Sequence, residues 1–197
     1  MDFREAGCRH HLNRLVRIAG LLALVFSAQP ALAQSDLTSS NQMIDAAAIG
    51  NADVVEYWLK RGAQVDTRDD DGRTILIYGA FVGSLDIVTL ALESRAAIDR
   101  QDKGGFSALS WAADQGHYEV VQRLLDAKAQ INLQNSQGKT PLMLATAKGY
   151  YDVVRLLLDS DADVKLQDYT GRSALDAAYD GRDRDVQRLL EEADRKR

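Results

Sequence analysis

Residues 138–164 read "GKTPLMLATAKGYYDVVRLLLDSDADV", and this stretch decides the fold. Thr140 suits a helix N-cap, and Pro141 suits the first helical position, where no amide hydrogen is needed. Leu142 to Lys148 then reads as a short helix rich in alanine, ended by Gly149. Asp152 places a negative charge at the start of a second helix, favourable with its dipole. Val153, Val154, Leu156, Leu157 and Leu158 give that second helix a broad apolar face. Two such short helices cannot bury their faces alone. They need neighbours of the same kind.

The rest of the chain supplies them. Gly72, Gly105, Gly138 and Gly171 stand 33 residues apart, and Gly50, Gly83, Gly116 and Gly149 keep the same spacing until Arg182 breaks it. Asp53, Asp86, Glu119, Asp152 and Asp185 follow in phase, each with apolar residues behind it. Three series in step over five copies mark a repeat protein whose copies stack on one continuous core.

The period and the 138–164 stretch resemble the ankyrin repeat. The resemblance covers residues 40 to 197 and implies an all-α solenoid of about five helix-turn-helix repeats with β-hairpin or turn fingers. The expected repeats are 41–68, 69–101, 102–134, 135–167 and 168–197, after a polar linker at 34–40. The first copy lacks the glycine turn, and the last ends in a charged helix that can face water. Two departures recur. The family's usual histidine in the first helix is replaced by Ile77, Ser110, Met143 and Asp176. Its preferred glycine after the second helix survives only as Gly62, with Arg95, Lys128 and Asp161 at the other places.

Residues 1–33 are of another kind. Arg4, Arg9, Arg14 and Arg17 precede the apolar run Ile18–Phe26, and Ala31-Leu32-Ala33 closes the segment. This is the pattern of a secretory signal peptide cut after Ala33. A retained membrane anchor is the other reading, although the run is well short of the ~20 residues a spanning helix needs. Four of the 24 basic and two of the 29 acidic residues lie there, so cleavage leaves 20 and 27, a net charge of −7 against −5 for the whole chain. That balance argues against nucleic acid as a partner. The only cysteine, Cys8, would be removed as well, leaving no thiol for disulfide, zinc or nucleophilic chemistry, and His117 as the one histidine.

The acidic stretch Asp69–Asp71 before Gly72 invites comparison with a calcium loop. Setting Gly72 at the sixth loop position puts Thr67 first and Tyr78 twelfth, where oxygen ligands belong, so that template fails. The stronger reading of Asp69–Gly72 is the tip of a β-hairpin, with Asp69 in register with Asp102, Asn135 and Asp168. His117 reads as a solvent-facing turn residue. Trp58 and Trp111 read as core, Met43 and Met143 as packing. No constellation for an enzyme stands out, and no cofactor or metal is expected.

Ankyrin proteins bind partners on the concave side, through fingertips and the exposed side of the first helices. Carried over position by position, the resemblance implies contact residues Asp70, Asp71, Arg73 and Phe81 in the second copy. The third contributes Lys103, Phe106, Asp114 and Gln115, the fourth Gln137, Lys139 and Lys148, and the fifth Tyr169 and Arg172. Phe81, Phe106 and Tyr169 are either interface anchors or packing between fingers. The expectation is a monomeric, non-enzymatic scaffold in a bacterial periplasm that holds an unidentified protein partner. A small-ligand or divalent-metal binder of the envelope and a secreted effector are the alternatives.

Overall fold

The computed structural model describes residues 36–181 and 183–196. The segment read as a signal peptide lies outside the described residues. Among the described residues ten helices alternate between an inner and an outer row: α1 Asp36–Ala48, α2 Ala52–Lys60, α3 Ile75–Val82, α4 Leu85–Glu93, α5 Ala108–Gln115, α6 Tyr118–Asp126, α7 Pro141–Lys148, α8 Tyr151–Asp159, α9 Ala174–Gly181 and α10 Arg184–Lys196. Each odd-numbered helix packs on its even-numbered successor and on the odd-numbered helix of the next repeat, and the even-numbered helices form the second row. The first helix corrects one expected boundary. Asp36 to Ser40, read as linker, belong to α1, because polar composition does not oppose a helix whose later turn buries Met43, Ile44, Ala46 and Ala47.

The caps follow the sequence. Thr74, Ser107 and Thr140 accept hydrogen bonds from the amides of Ile77, Ser110 and Met143 at 3.2–3.3 Å. At two of the four places where the family histidine is missing, polar residues serve the cap instead. Asp176 takes the Ser173 amide at 2.8 Å, and the Ser110 hydroxyl meets that of Ser107 at 3.1 Å. Ile77 is a buried packing residue, and Met143, also buried, accepts the Thr140 amide on its sulfur at 3.5 Å. Small residues at the inner-helix contacts (Ala80, Ala112, Ala113, Ala145, Ala178) are fully or almost fully buried and let the inner row close up.

Arg95, Lys128 and Asp161 have φ of 63°, 69° and 70°. The position after the second helix is therefore left-handed without glycine in three repeats.

The fingers take the turn form, with no strand among the described residues and one isolated bridge, Gln167 to Ser173. In the first finger the Asp69 amide donates to the Arg73 carbonyl and the Gly72 amide to the Asp69 carbonyl, each at 3.0 Å. The Asp69 carboxylate accepts from the amides of Asp71 and Arg73 at 2.9 and 2.8 Å. Asp102, Asn135 and Asp168 repeat the arrangement. One side-chain oxygen thus satisfies two amides that a longer hairpin would pair across a ladder.

Candidate functional site

Neighbouring fingers are tied together by backbone. The amides of Lys103, Ser136 and Tyr169 donate to the carbonyls of Asp71, Gly104 and Gln137 at 2.9–3.1 Å. Side chains run two further ladders in parallel. The Gln101 and Gln134 amides each donate to the carbonyl of the next glutamine 33 residues on, Gln134 and Gln167, at 2.9 Å. Asp66, Asp99 and Asn132 accept from the amides of Ala97, Gln130 and Asp163 at 2.8–3.0 Å. This second ladder was missed in the sequence, although its 33-residue spacing is written there. Lys165 occupies the next place and offers no acceptor.

Between the fingers and the inner helices, repeats 2 and 3 build a closed cluster. Trp111 stacks on Phe106 with centroids 4.6 Å apart and meets Phe81 edge-on at 5.0 Å. The Arg73 guanidinium lies 5.1 Å from the Trp111 ring, 5.7 Å from Tyr78 and 5.9 Å from Phe81. Its Nε is 3.5 Å from Asp102 Oδ2, near enough for charge attraction, yet it makes no hydrogen bond. The second oxygens of the finger-base carboxylates are also used: Tyr78 donates its hydroxyl to Asp69 Oδ2 at 2.6 Å, and Trp111 its indole N–H to Asp102 Oδ2 at 2.9 Å. Burial, then the bond to Asp69 and its charge, push the Tyr78 phenol up. Asp69 therefore has both oxygens occupied by its own fold.

The expected contact residues separate accordingly. Arg73, Phe81 and Phe106 are half-buried partners of one another through Trp111, so the packing alternative describes these two phenylalanines. Trp111 itself is not core; it is the half-buried floor of that cluster, because its indole N–H must reach Asp102. Asp70, Asp71, Lys103 and Gln137 project from the fingertips into solvent. Tyr169 is 73% exposed, with its ring laid against Gly138, where an added Cβ would come within 2.6 Å of it. Lys139 is half-exposed and Lys148 exposed. Asp114 accepts from Gln115 at 2.8 Å, and Arg172 pairs with Asp180.

His117 also differs from its sequence reading. It is half-buried, its ring is laid over Gly83 and its Nε2 is 3.2 Å from the Phe81 carbonyl. Gly83 has φ of 78°, and an added Cβ would lie 2.6 Å from the imidazole, so glycine is needed on both counts. Tyr150 repeats this contact on Gly116 one copy later.

Residues 43–135 and 127–196 match the family model described as ankyrin repeats (3 copies). With most of the chain covered and the stacked helix pairs in place, the protein belongs to the ankyrin-repeat family. No curated protein matches the chain. Repeats of this family generally mediate protein–protein interaction, and the family is typically a non-enzymatic scaffold. Among the described residues no helix is long and apolar enough to cross a membrane, and no three histidine, cysteine, aspartate or glutamate side chains gather in a metal-holding group.

Proposed function

We propose that this protein is a rigid, non-enzymatic binding scaffold of a bacterial periplasm, exported by its N-terminal segment, and that it holds a partner protein on its concave face. One observation carries the reading. The fingers are locked to each other by three in-register backbone bonds and the glutamine ladder, so the fingertip side chains are presented without a folding step on binding. The partner-facing side chains are those that the fold leaves in solvent: Asp70, Asp71, Lys103, Gln137, Lys139, Lys148 and Tyr169. Arg73, Phe81 and Phe106 act behind them by fixing finger positions.

The test is site-specific photo-crosslinking in the producing cell. A photoreactive amino acid at Gln137 or Tyr169 should yield a discrete protein adduct in the periplasmic fraction, whereas one at Thr89 or Gln122 on the outer helices should not. Adducts only from the outer positions, or none, would overturn the concave-face reading. Recovery of the protein solely in the cytoplasm would overturn the localisation.

A further inference from the structure

Charge is unevenly spread along the concave face. Repeat 2 presents Asp70 and Asp71, with Arg73 folded into the aromatic cluster beside Asp102. Repeat 5 presents Asp176 and Asp180 around Arg172. Repeat 4 is different. Its finger base is Asn135, where the other fingers carry aspartate, and its concave side chains with charge are Lys139 and Lys148. Neither lysine lies within 4 Å of a carboxylate among the described residues; the nearest influence is Lys139 acting on Asp168 of the next finger. In a chain of net charge −5, this row is locally cationic.

The row is also unfilled. Leu144 stands where Tyr78 and Trp111 stand in repeats 2 and 3, so no large ring rises from the floor. Trp111 and Phe106 make a wall on one side, and the exposed Tyr169 ring stands on the other. Lys148 ends α7 and Lys139 lies two residues before its start, and the eight residues of the helix span about 12 Å.

We propose that repeat 4 receives an acidic, extended segment of the partner protein, lying along α7 with one carboxylate on Lys139 and a second, four residues on, on Lys148. Four extended residues cover about 12 Å at the polyproline rise, which matches the helix length. An apolar side chain between the carboxylates rests against Tyr169. Asp176 in the next repeat repels the same segment, while Asp180 is paired with Arg172 and Asp70 and Asp71 lie two fingers away, beyond Lys103. This rests on the concave-face reading above and adds the chemistry of the partner.

The probe is the blocked pentapeptide Glu-Pro-Val-Pro-Glu, titrated at millimolar concentration into isotope-labelled protein as purified from cells, with amide shifts followed by NMR. The expected result is shifts confined to Lys139, the end of α7 and Tyr169, suppressed by salt. Each of Lys139→Ala and Lys148→Ala should weaken binding roughly 3-fold, as for an exposed ion pair. No shifts, shifts elsewhere, or equal shifts with Lys-Pro-Val-Pro-Lys would overturn the proposal. If the peptide fails while crosslinks from Gln137 persist, the acidic-segment proposal falls and the concave-face reading stands. If the crosslinks are absent too, both fall.

Discussion

The concave faces of repeats 2–3 and of repeats 4–5 come from one sequence pattern and end in opposite states. In the first pair, Tyr78 and Trp111 give the finger-base carboxylates a donor, and Arg73, Phe81 and Phe106 close over them. In the second, Leu144 and Ala177 hold the same places and donate nothing. Asn135 accordingly replaces aspartate in repeat 4, with its Nδ2 buried and without a hydrogen-bond partner. The lesson is that a finger-base carboxylate and the fourth residue of the following helix act as a pair. Where the pair is complete, rings and Arg73 fill the space between finger and inner helix; where it is not, that space is unfilled.

The largest expected break in this contrast is Trp111→Ala. It removes the floor of the cluster and leaves Asp102 Oδ2 without its donor, so unfolding by denaturant should show a loss of about 3–5 kcal/mol. Tyr169→Ala, on the open side, should stay within about 0.5 kcal/mol of the parent. Equal losses would mean that the two faces do not differ as described.

Glycines give the next comparison. Gly105 and Gly171 share a positive φ, 75° and 82°, but an added Cβ meets the Ser136 amide nitrogen at 2.4 Å in the first case and nothing within 4 Å in the second. Gly171→Ala should cost roughly 1 kcal/mol from backbone strain alone. Gly105→Ala should cost at least about 3, because backbone of the next finger must also move. Thermal or denaturant unfolding of the two variants distinguishes them.

Tyr78→Phe tests the paired oxygen directly and should cost about 1–2 kcal/mol at neutral pH. Its pH dependence has a definite sign. The folded-state pKa is raised, so the folded state holds its proton where the unfolded chain loses it, and stability falls as pH rises above the ordinary phenol value of 10.0. The phenylalanine variant should lose this part of the alkaline decline. An unaltered slope above that pH would mean Tyr78 is not responsible.

The smallest expected effect is a gain. Lys128 has φ of 69°, and Lys128→Gly should stabilise by about 1 kcal/mol by relieving the left-handed backbone. A lowered melting temperature would refute the strain.

Glycine spacing, Ser and Thr caps and apolar pairs determined the repeat and the helix order, because each depends on residues close in sequence. The same local logic made Asp69 a turn residue. What it could not decide is which candidate contact residues face solvent. Phe106 stacks on Trp111 within its own repeat, but Phe81 belongs to the copy before and reaches Trp111 only after the repeats have stacked. Arg73 likewise meets Asp102 across a repeat boundary, and His117 covers a glycine of the copy before it. Burial of these side chains is set by the neighbour's shape, which a repeat's own residues do not contain. Sequence alone thus determined a stack of helix pairs with one row of fingers, and tertiary contact decided which side chains behind that row were covered by a neighbouring copy.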